Sequence, residues 1–173
     1  ILERHNAPGG LNSFYFLGGR RFDVGLHAVT NFVDRGMRGT PLGKVFRQLR
    51  IPREAFDLHP QVGSRVAFPG VDLRFSNGIN LLESEVARTF PRQVDRFRKL
   101  RKAVLDYDAL DLAGASRSAR EVVRNHLTDP VLEDMLFCPL MYYGSSTEND
   151  MEFAQFATLW KAVFEEGFGR PVE

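Results

Sequence analysis

The stretch SRVAFPGVDLRFS, residues 64–76, carries the clearest secondary-structure signal in the chain. Apolar Val71, Leu73 and Phe75 alternate there with polar residues, which is the period of a strand that buries one face. Pro69-Gly70 forms a two-residue connection to the apolar residues before it, and so short a turn indicates an antiparallel pair. The stretch therefore predicts a β-hairpin over residues 64–76.

Downstream of this hairpin the apolar residues recur about every 3.6 positions, which is the period of an α-helix. This pattern predicts helices over residues 80–166. Asp129 followed by Pro130 predicts the start of one of them, since aspartate caps helices and proline suits the first turn. Pro139 is expected to interrupt that helix, and Thr147 with Asp150 is expected to cap the last one.

Upstream of the hairpin the chain is richer in strand signals. The aromatic residues 14–16 precede Leu17-Gly18-Gly19, and a strand pattern resumes at residues 21–24, which predicts another short hairpin. Apolar residues at helical spacing predict a helix that begins near Pro41. A strand-rich first half followed by helices indicates an α+β chain. The strands are too few for a complete sheet, so we expect the chain to be an internal portion of a longer protein.

The composition is that of a folded chain with a sizeable core. Of its 173 residues, 43% are hydrophobic and 26% are charged, and one is cysteine. This apolar content excludes a disordered protein, and a single cysteine excludes a disulfide scaffold and a cysteine-rich metal module. Because His5, His59 and His126 do not have the spacing of metal ligands, we expect no metal site.

The charges are nearly balanced, with 23 Lys and Arg residues against 22 Asp and Glu residues. This balance gives no reason to expect nucleic acid as a partner. The strongest basic cluster, residues 96–102, is expected to form a solvated helix face, with attachment to a membrane surface as the second interpretation. No apolar run is long enough to span a bilayer. We expect a cytoplasmic protein, with peripheral membrane contact as the alternative.

Two features near the start of the sequence are suited to a nucleotide. Glu3 follows the apolar pair Ile1-Leu2, which is typical of a strand end, and a carboxylate there can accept two hydrogen bonds from a ribose diol. Gly9-Gly10 would let backbone N–H groups approach a phosphate, because glycine has no Cβ. Each feature also has a structural explanation, as a solvated residue at a strand end and as an ordinary tight turn.

Together with Phe22-Asp23-Val24-Gly25, the segments Ile1-Leu2-Glu3-Arg4 and Pro8-Gly9-Gly10 resemble the second nucleotide-contact segment of FAD-dependent amine oxidase-like flavoproteins. The branch that they resemble most contains the phytoene desaturases, the carotenoid isomerases and retinol saturase. Residues 129–144 and 167–173 resemble that branch's substrate-domain helices and the run into its next strand.

The resemblance implies an α/β parent fold. Residues 1–36 would form part of a glutathione reductase-like FAD-binding domain, and residues 37–173 part of a mixed sheet-and-helix substrate domain. The FAD-binding part would contain the second strand, the Gly-Gly turn and the first hairpin. The chain would then be an internal portion of a flavoprotein, and its partners would include the remaining segments of that protein.

The resemblance also implies a cofactor site for FAD. Glu3 would hold the adenosine ribose, Arg4 would lie along the adenine, and residues 9–12 would border the pyrophosphate. Many relatives have arginine where this chain has Leu11. The full set of implied cofactor-binding residues is Glu3, Arg4, Gly9, Gly10, Leu11, Asn12, His27, Ala28 and Val29.

By the same resemblance, residues 25–30 would pass beside the isoalloxazine ring. His27 is the residue in this segment that can exchange protons near neutral pH, which makes it the candidate catalytic residue. A histidine bonded to a backbone carbonyl is the alternative interpretation. The candidate substrate-lining residues, which could equally be core, are Phe137, Met141, Tyr142 and Tyr143.

The function that the resemblance implies is an FAD-dependent oxidoreductase similar to phytoene desaturase. Hydride would pass between a hydrophobic, polyene- or isoprenoid-like small molecule and the flavin. Two alternatives stay open, because one scaffold can serve several functions. The chain could belong to an amine oxidase-like enzyme, or it could be a non-catalytic interaction module derived from a flavoprotein.

Overall fold

The computed structural model describes residues 4, 13–24, 28–32, 34, 39–56, 58–108 and 116–171. Helices and small antiparallel sheets are mixed in this part of the chain, which confirms the predicted α+β class. The strands are β1 (Phe14–Leu17), β2 (Arg20–Asp23), β3 (Val29–Thr30), β4 (Leu58–Pro60), β5 (Ser64–Phe68), β6 (Val71–Phe75) and β7 (Phe168–Pro171). The helices are α1 (Pro41–Leu49), α2 (Asn80–Thr89), α3 (Val94–Asp106), α4 (Ala119–Arg124), α5 (Pro130–Met141) and α6 (Phe153–Trp160), with a 3-10 turn at Arg53–Phe56 and a π-helical segment at Lys161–Glu166.

Both predicted hairpins are present. In the first, β1 pairs with β2 in a register that sets Phe14 opposite Asp23. In the second, β5 pairs with β6, with Ser64 opposite Phe75, and the Pro69-Gly70 turn joins them. Val66 of this hairpin is buried, and so is Leu73, which lies directly opposite. The buried face therefore packs against the helices that follow.

A third sheet brings distant parts of the chain together. Its strand order is β3-β7-β4, with both pairs antiparallel. Val29 of β3 lies opposite Gly169 of β7, although 140 positions separate them in the sequence. Because β3 falls within residues 1–36 and the other two strands within 37–173, this sheet connects the two predicted units, and their division stays a prediction.

The helices follow the capping signals in part. The Asp129 carboxylate accepts hydrogen bonds from the N–H groups of Val131 (3.0 Å) and Leu132 (3.1 Å), as predicted for the start of α5. Pro139 does not interrupt this helix, which continues to Met141. A proline so close to the C-terminal end leaves only one turn to be disturbed.

The predicted cap of the last helix is wrong. Helix α6 begins at Phe153, three positions after Asp150. The Asp150 carboxylate instead accepts hydrogen bonds from the Ser118 hydroxyl (2.6 Å) and the Arg120 N–H (3.1 Å). This carboxylate therefore ties the start of α4 to the loop before α6, a long-range contact that local spacing does not reveal.

An aromatic cluster on α3, α6 and the π-helical segment forms the centre of the main core. Trp160 is fully buried, and its ring lies 5.6 Å from that of Phe97, 5.7 Å from Phe156 and 5.0 Å from Phe164 between centroids. Phe75 of β6 contacts the cluster through Phe164, at 5.3 Å. The helices thus pack onto the 64–76 hairpin through aromatic rings.

The basic cluster at residues 96–102 is largely neutralised by ion pairs. These pairs join Arg98 to Glu83 and Asp95, Arg101 to Glu165, and Lys102 to Asp106. These ion pairs support the interpretation of residues 96–102 as a solvated helix face, and attachment to a membrane surface stays a prediction. Among the described residues, none of the helices is both long and apolar enough to cross a membrane.

A buried carboxylate links the 64–76 hairpin to helix α2 and makes stability depend on pH. Glu85 is buried and accepts hydrogen bonds from the guanidinium groups of Arg74 (2.9 Å) and Arg88 (2.9 Å). These bonds lower the pKa of the Glu85 carboxyl from 4.5 to about 2. The folded state therefore binds this proton less readily than the unfolded state does.

Stability supplied by Glu85 is expected to be complete above pH 4.5 and to disappear as the pH falls towards 2. The loss should be on the order of 2–3 kcal/mol in the free energy of unfolding. Urea denaturation across this pH range would measure it. In Glu85→Gln this part of the pH dependence should be missing, and an unchanged slope in that variant would assign the effect to other carboxylates.

Candidate functional site

A mostly apolar cavity of about 520 Å³ lies between the third sheet, the 64–76 hairpin and the end of α5. A volume of this size is within the range of small-molecule sites. The described residues that line it are Ala28, Ser64, Arg65, Val66, Ala67, Phe75, Cys138, Pro139, Tyr142, Tyr143 and Phe168. They come from five separate regions of the sequence, so the cavity exists only in the folded chain.

The strand pairing of β3 with β7 brings Ala28 to this cavity. Ala28 directly precedes β3, and Phe168 is the first residue of β7. Thr30 of β3 lies opposite Phe168. The short antiparallel pair therefore brings Ala28 and Phe168 to the same cavity. The half-buried Ala28 side chain leaves space in front of it that a larger residue would fill.

Asn77 fixes the strand that contributes Phe168. Its side-chain amide donates to the Phe168 carbonyl (2.9 Å), and its carbonyl oxygen accepts from the Phe168 N–H (2.9 Å). The same oxygen accepts from the Gln61 amide (2.9 Å), and Gln61 in turn accepts from the Ser64 hydroxyl (2.7 Å). This network connects β7 to the start of β5 and holds two walls of the cavity together.

Gly167 makes the close approach of Asn77 possible. Its φ of 85° lies in the left-handed region, and a Cβ there would come within 2.7 Å of the Asn77 Cα. Both conditions favour glycine, because other residues rarely adopt this φ and would collide with backbone that cannot move aside. The glycine that ends the π-helical segment therefore also shapes the cavity.

The cavity wall offers few polar groups. The Cys138 thiol donates weakly to the Tyr142 hydroxyl, at 4.0 Å. The Tyr143 hydroxyl is neutral at pH 7, as tyrosine normally is, and partial burial raises its pKa further. Ser64 is already bonded to Gln61. Arg65 is the one charged side chain among the described lining residues.

The structure separates the four candidate substrate-lining residues into two pairs. Tyr142 and Tyr143 line the cavity. Phe137 is buried in the main core, where its ring lies 4.8 Å from that of Phe156. Met141 is half-buried and packs against the same core. Neither Phe137 nor Met141 is among the described lining residues, so their placement agrees with the core alternative.

Most of the candidate cofactor-binding residues lie outside the described residues. This holds for the ribose and pyrophosphate contacts and for the candidate catalytic residue, which together are Glu3, Gly9, Gly10, Leu11, Asn12 and His27. Arg4 is described and exposed. Val29 is half-buried in β3 opposite Gly169, and Ala28 lines the cavity.

Sequence reasoning missed several lining residues. Arg65 and Ala67 were assigned to a hairpin with no role beyond folding, and Cys138 and Phe168 had no partner in the local sequence. The strand and helix assignments of Arg65, Ala67 and Cys138 were correct, but nothing in a local pattern says which residues border a cavity. Among the described residues there is also no group of three or more His, Cys, Asp or Glu side chains that could hold a metal ion.

Fold and site together define an α+β chain with an apolar cavity suited to a small molecule. No family model matches the chain, and comparisons with curated proteins and with solved structures found no match either.

Proposed function

We propose that this chain is part of an FAD-dependent oxidoreductase that acts on a hydrophobic small molecule. One observation carries the proposal. Ala28, from the segment expected beside the flavin ring, lines the same cavity as Tyr142 and Tyr143, which were expected beside the substrate. More than 100 positions separate these residues in the sequence, and the resemblance that named them did not use their proximity.

The residues around this cavity fit a flat aromatic cofactor on one side. Ala28 has a small side chain, so it leaves room for a ring to lie against the backbone of the strand that follows. By the resemblance, Glu3, Arg4 and residues 9–12 would hold the adenosine and pyrophosphate of FAD, and His27, Ala28 and Val29 would border its ring. Bound FAD would supply the redox chemistry, in which its N5 atom accepts a hydride from an adjacent carbon.

The remaining walls would bind and orient the substrate. Val66, Phe75 and Phe168 present apolar side chains that favour a hydrophobic ligand and exclude water. The Tyr143 hydroxyl is neutral at pH 7, so it offers a neutral hydrogen-bond donor beyond the end of α5. His27 is the proposed residue for holding or moving a proton near the reacting carbon.

Flavin binding to the full-length gene product tests the proposal. The purified protein is expected to carry FAD, seen as flavin absorbance that elutes with it in gel filtration. Ala28→Trp should reduce FAD retention at least tenfold, because the indole would occupy the space in front of Ala28. Ala55→Trp is the matched control, since Ala55 is exposed on the 3-10 turn and does not line the cavity.

A colourless full-length protein that takes up no added FAD would contradict the proposal. Equal FAD retention in the Ala28→Trp and Ala55→Trp variants would contradict the role of the cavity. If flavin is bound, turnover assays with polyene and amine substrates would separate a desaturase-like enzyme from an amine oxidase-like enzyme, which share the scaffold.

A non-catalytic interaction module is the second candidate, and the β1–β2 hairpin favours it. Phe16 and Leu17 in this hairpin are 67% and 66% exposed. The rings of Tyr15 and Phe22 stack on each other, 5.4 Å apart, and both remain exposed. Adjacent exposed apolar side chains are typical of surfaces that bind another macromolecule. Absence of FAD from the full-length protein would favour this function.

A further inference from the structure

We infer that the cavity binds a ligand with an apolar body and a single carboxylate, and that Arg65 pairs with this carboxylate. This inference rests on the proposed function, because it names the substrate class for the same cavity. The proposed function gives the substrate class as a hydrophobic small molecule, and the inference specifies it as an amphipathic acid.

Arg65 has no charged partner among the residues that the structure describes. Neither an ion pair nor a side-chain hydrogen bond joins it to another of the described residues, and it is exposed at the cavity wall. Several arginines of the helical region do have carboxylate partners, as Arg101 has in Glu165. A guanidinium in this position can pair with the charged end of a ligand whose apolar part lies in the cavity.

The register of the 64–76 hairpin gives a second reason to expect an anion at Arg65. Arg65 lies directly opposite Arg74, and like charges in such a cross-strand pair repel each other. Glu85 neutralises Arg74 through a 2.9 Å ion pair, but no acidic side chain is among the described residues that line the cavity. A bound anion would therefore compensate the charge that the protein leaves uncompensated.

The surrounding wall indicates a monoanion with a large apolar part. Val66, Phe75, Pro139 and Phe168 provide apolar surface, and Arg65 provides one charge. A phosphate ester carries about two negative charges, whereas the described wall supplies one positive charge, that of Arg65. A carboxylate carries one charge, and its planar geometry matches the two parallel N–H groups of a guanidinium.

Direct binding of a fluorescent acid tests this inference in the full-length protein. The probe is cis-parinarate, a conjugated polyene carboxylate whose fluorescence rises in apolar surroundings, and its methyl ester is the uncharged counterpart. We expect the acid to bind about fivefold more tightly than the ester, as suits a guanidinium that is partly open to water. Arg65→Gln should remove this difference and leave the affinity for the ester unchanged.

Two further variants complete the test. Arg65→Lys keeps the charge and is expected to retain part of the preference for the acid, which also guards against a fold defect in Arg65→Gln. Arg47→Gln is the matched control, since Arg47 is exposed on α1 away from the cavity, and it should bind both probes as the parent protein does. Ala67→Trp should weaken both probes, because Ala67 lines the cavity.

Failure of the inference can be told apart from failure of the proposed function. Equal binding of acid and ester, unaffected by Arg65→Gln, would overturn the carboxylate preference and leave flavin binding untouched. Binding of neither probe, or binding that Ala67→Trp does not weaken, would overturn the cavity as the ligand site. A preference that requires Arg65 in a protein without FAD would support the inference while contradicting the oxidoreductase.

Discussion

Replacing Phe156 with alanine is expected to lower the free energy of unfolding by about 4 kcal/mol. Phe156 lies on α6 and is fully buried, with its ring 4.8 Å from that of Phe137 and 5.7 Å from that of Trp160. Alanine would leave a cavity among these rings, and their packing is too dense to close it. Urea denaturation, followed by far-UV circular dichroism, would measure the loss.

Phe16→Ala is the matched control for this experiment. It removes the same side chain, but Phe16 is 67% exposed on the β1–β2 hairpin. Its loss should change the free energy of unfolding by less than about 0.5 kcal/mol. If the two variants were destabilised equally, the first hairpin would belong to the cooperative core, and its exposed surface would no longer favour an interaction module.

Glu133→Gln is expected to cost on the order of 2–3 kcal/mol, because it removes the buried carboxylate that Arg120 and Arg124 share. Glu133 lies on α5, and its side chain is 5% exposed. Its carboxylate pairs with Arg120 on one oxygen (2.5 Å) and with Arg124 on the other (3.0 Å). Arg120 is 17% exposed and packs over the Phe137 ring, so water reaches it poorly, and in the variant Asp134 would remain as its carboxylate partner (2.7 Å).

Asp106→Asn provides the comparison for this ion pair. Asp106 pairs with Lys102 at 2.5 Å, but both side chains are more than 60% exposed. Exposed pairs contribute little, so a change below about 0.5 kcal/mol is expected. A similar loss in both variants, measured by urea denaturation at the same pH and ionic strength, would mean that burial does not set the strength of these pairs.

These two predictions concern the scaffold that holds the cavity. Glu133 lies on α5, which contains Cys138 and is followed by Tyr143, and both of these residues line the cavity. Phe156 belongs to the aromatic cluster that contacts Phe75, another lining residue. Neither residue lines the cavity. Variants at these positions should therefore reduce ligand binding only to the extent that they reduce the folded fraction.

Local patterns were sufficient for the hairpins and for most helix starts. Alternation over residues 71–75 and the Pro69-Gly70 turn predict β5 and β6, because side chains on a strand point to opposite faces in turn. Asp129 predicts the start of α5, because its carboxylate reaches N–H groups only two and three positions away. Such contacts join residues only a few positions apart, so the local sequence is enough to predict them.

Helix α5 is an element whose surroundings local patterns do not predict. It is apolar over most of its length and buries Leu136, Phe137 and Leu140, so periodicity alone does not say which residues face the core and which face a cavity. Tyr142 and Tyr143 directly follow it and reach the cavity. The Thr147 and Asp150 signal failed for a related reason, because Asp150 bonds to Ser118, 32 positions earlier.

The sequence alone was enough for the α+β class, both hairpins and the order of the helices, since short-range periodicity and capping produce them. The cavity was decided by tertiary structure, because its walls meet only when β3 pairs with β7 and the helices pack on the 64–76 hairpin. Arg65 is the clearest case. Its strand is predicted by the hairpin pattern. Its lack of a charged partner among the described residues arises in the folded chain, where Glu85 pairs with Arg74 instead.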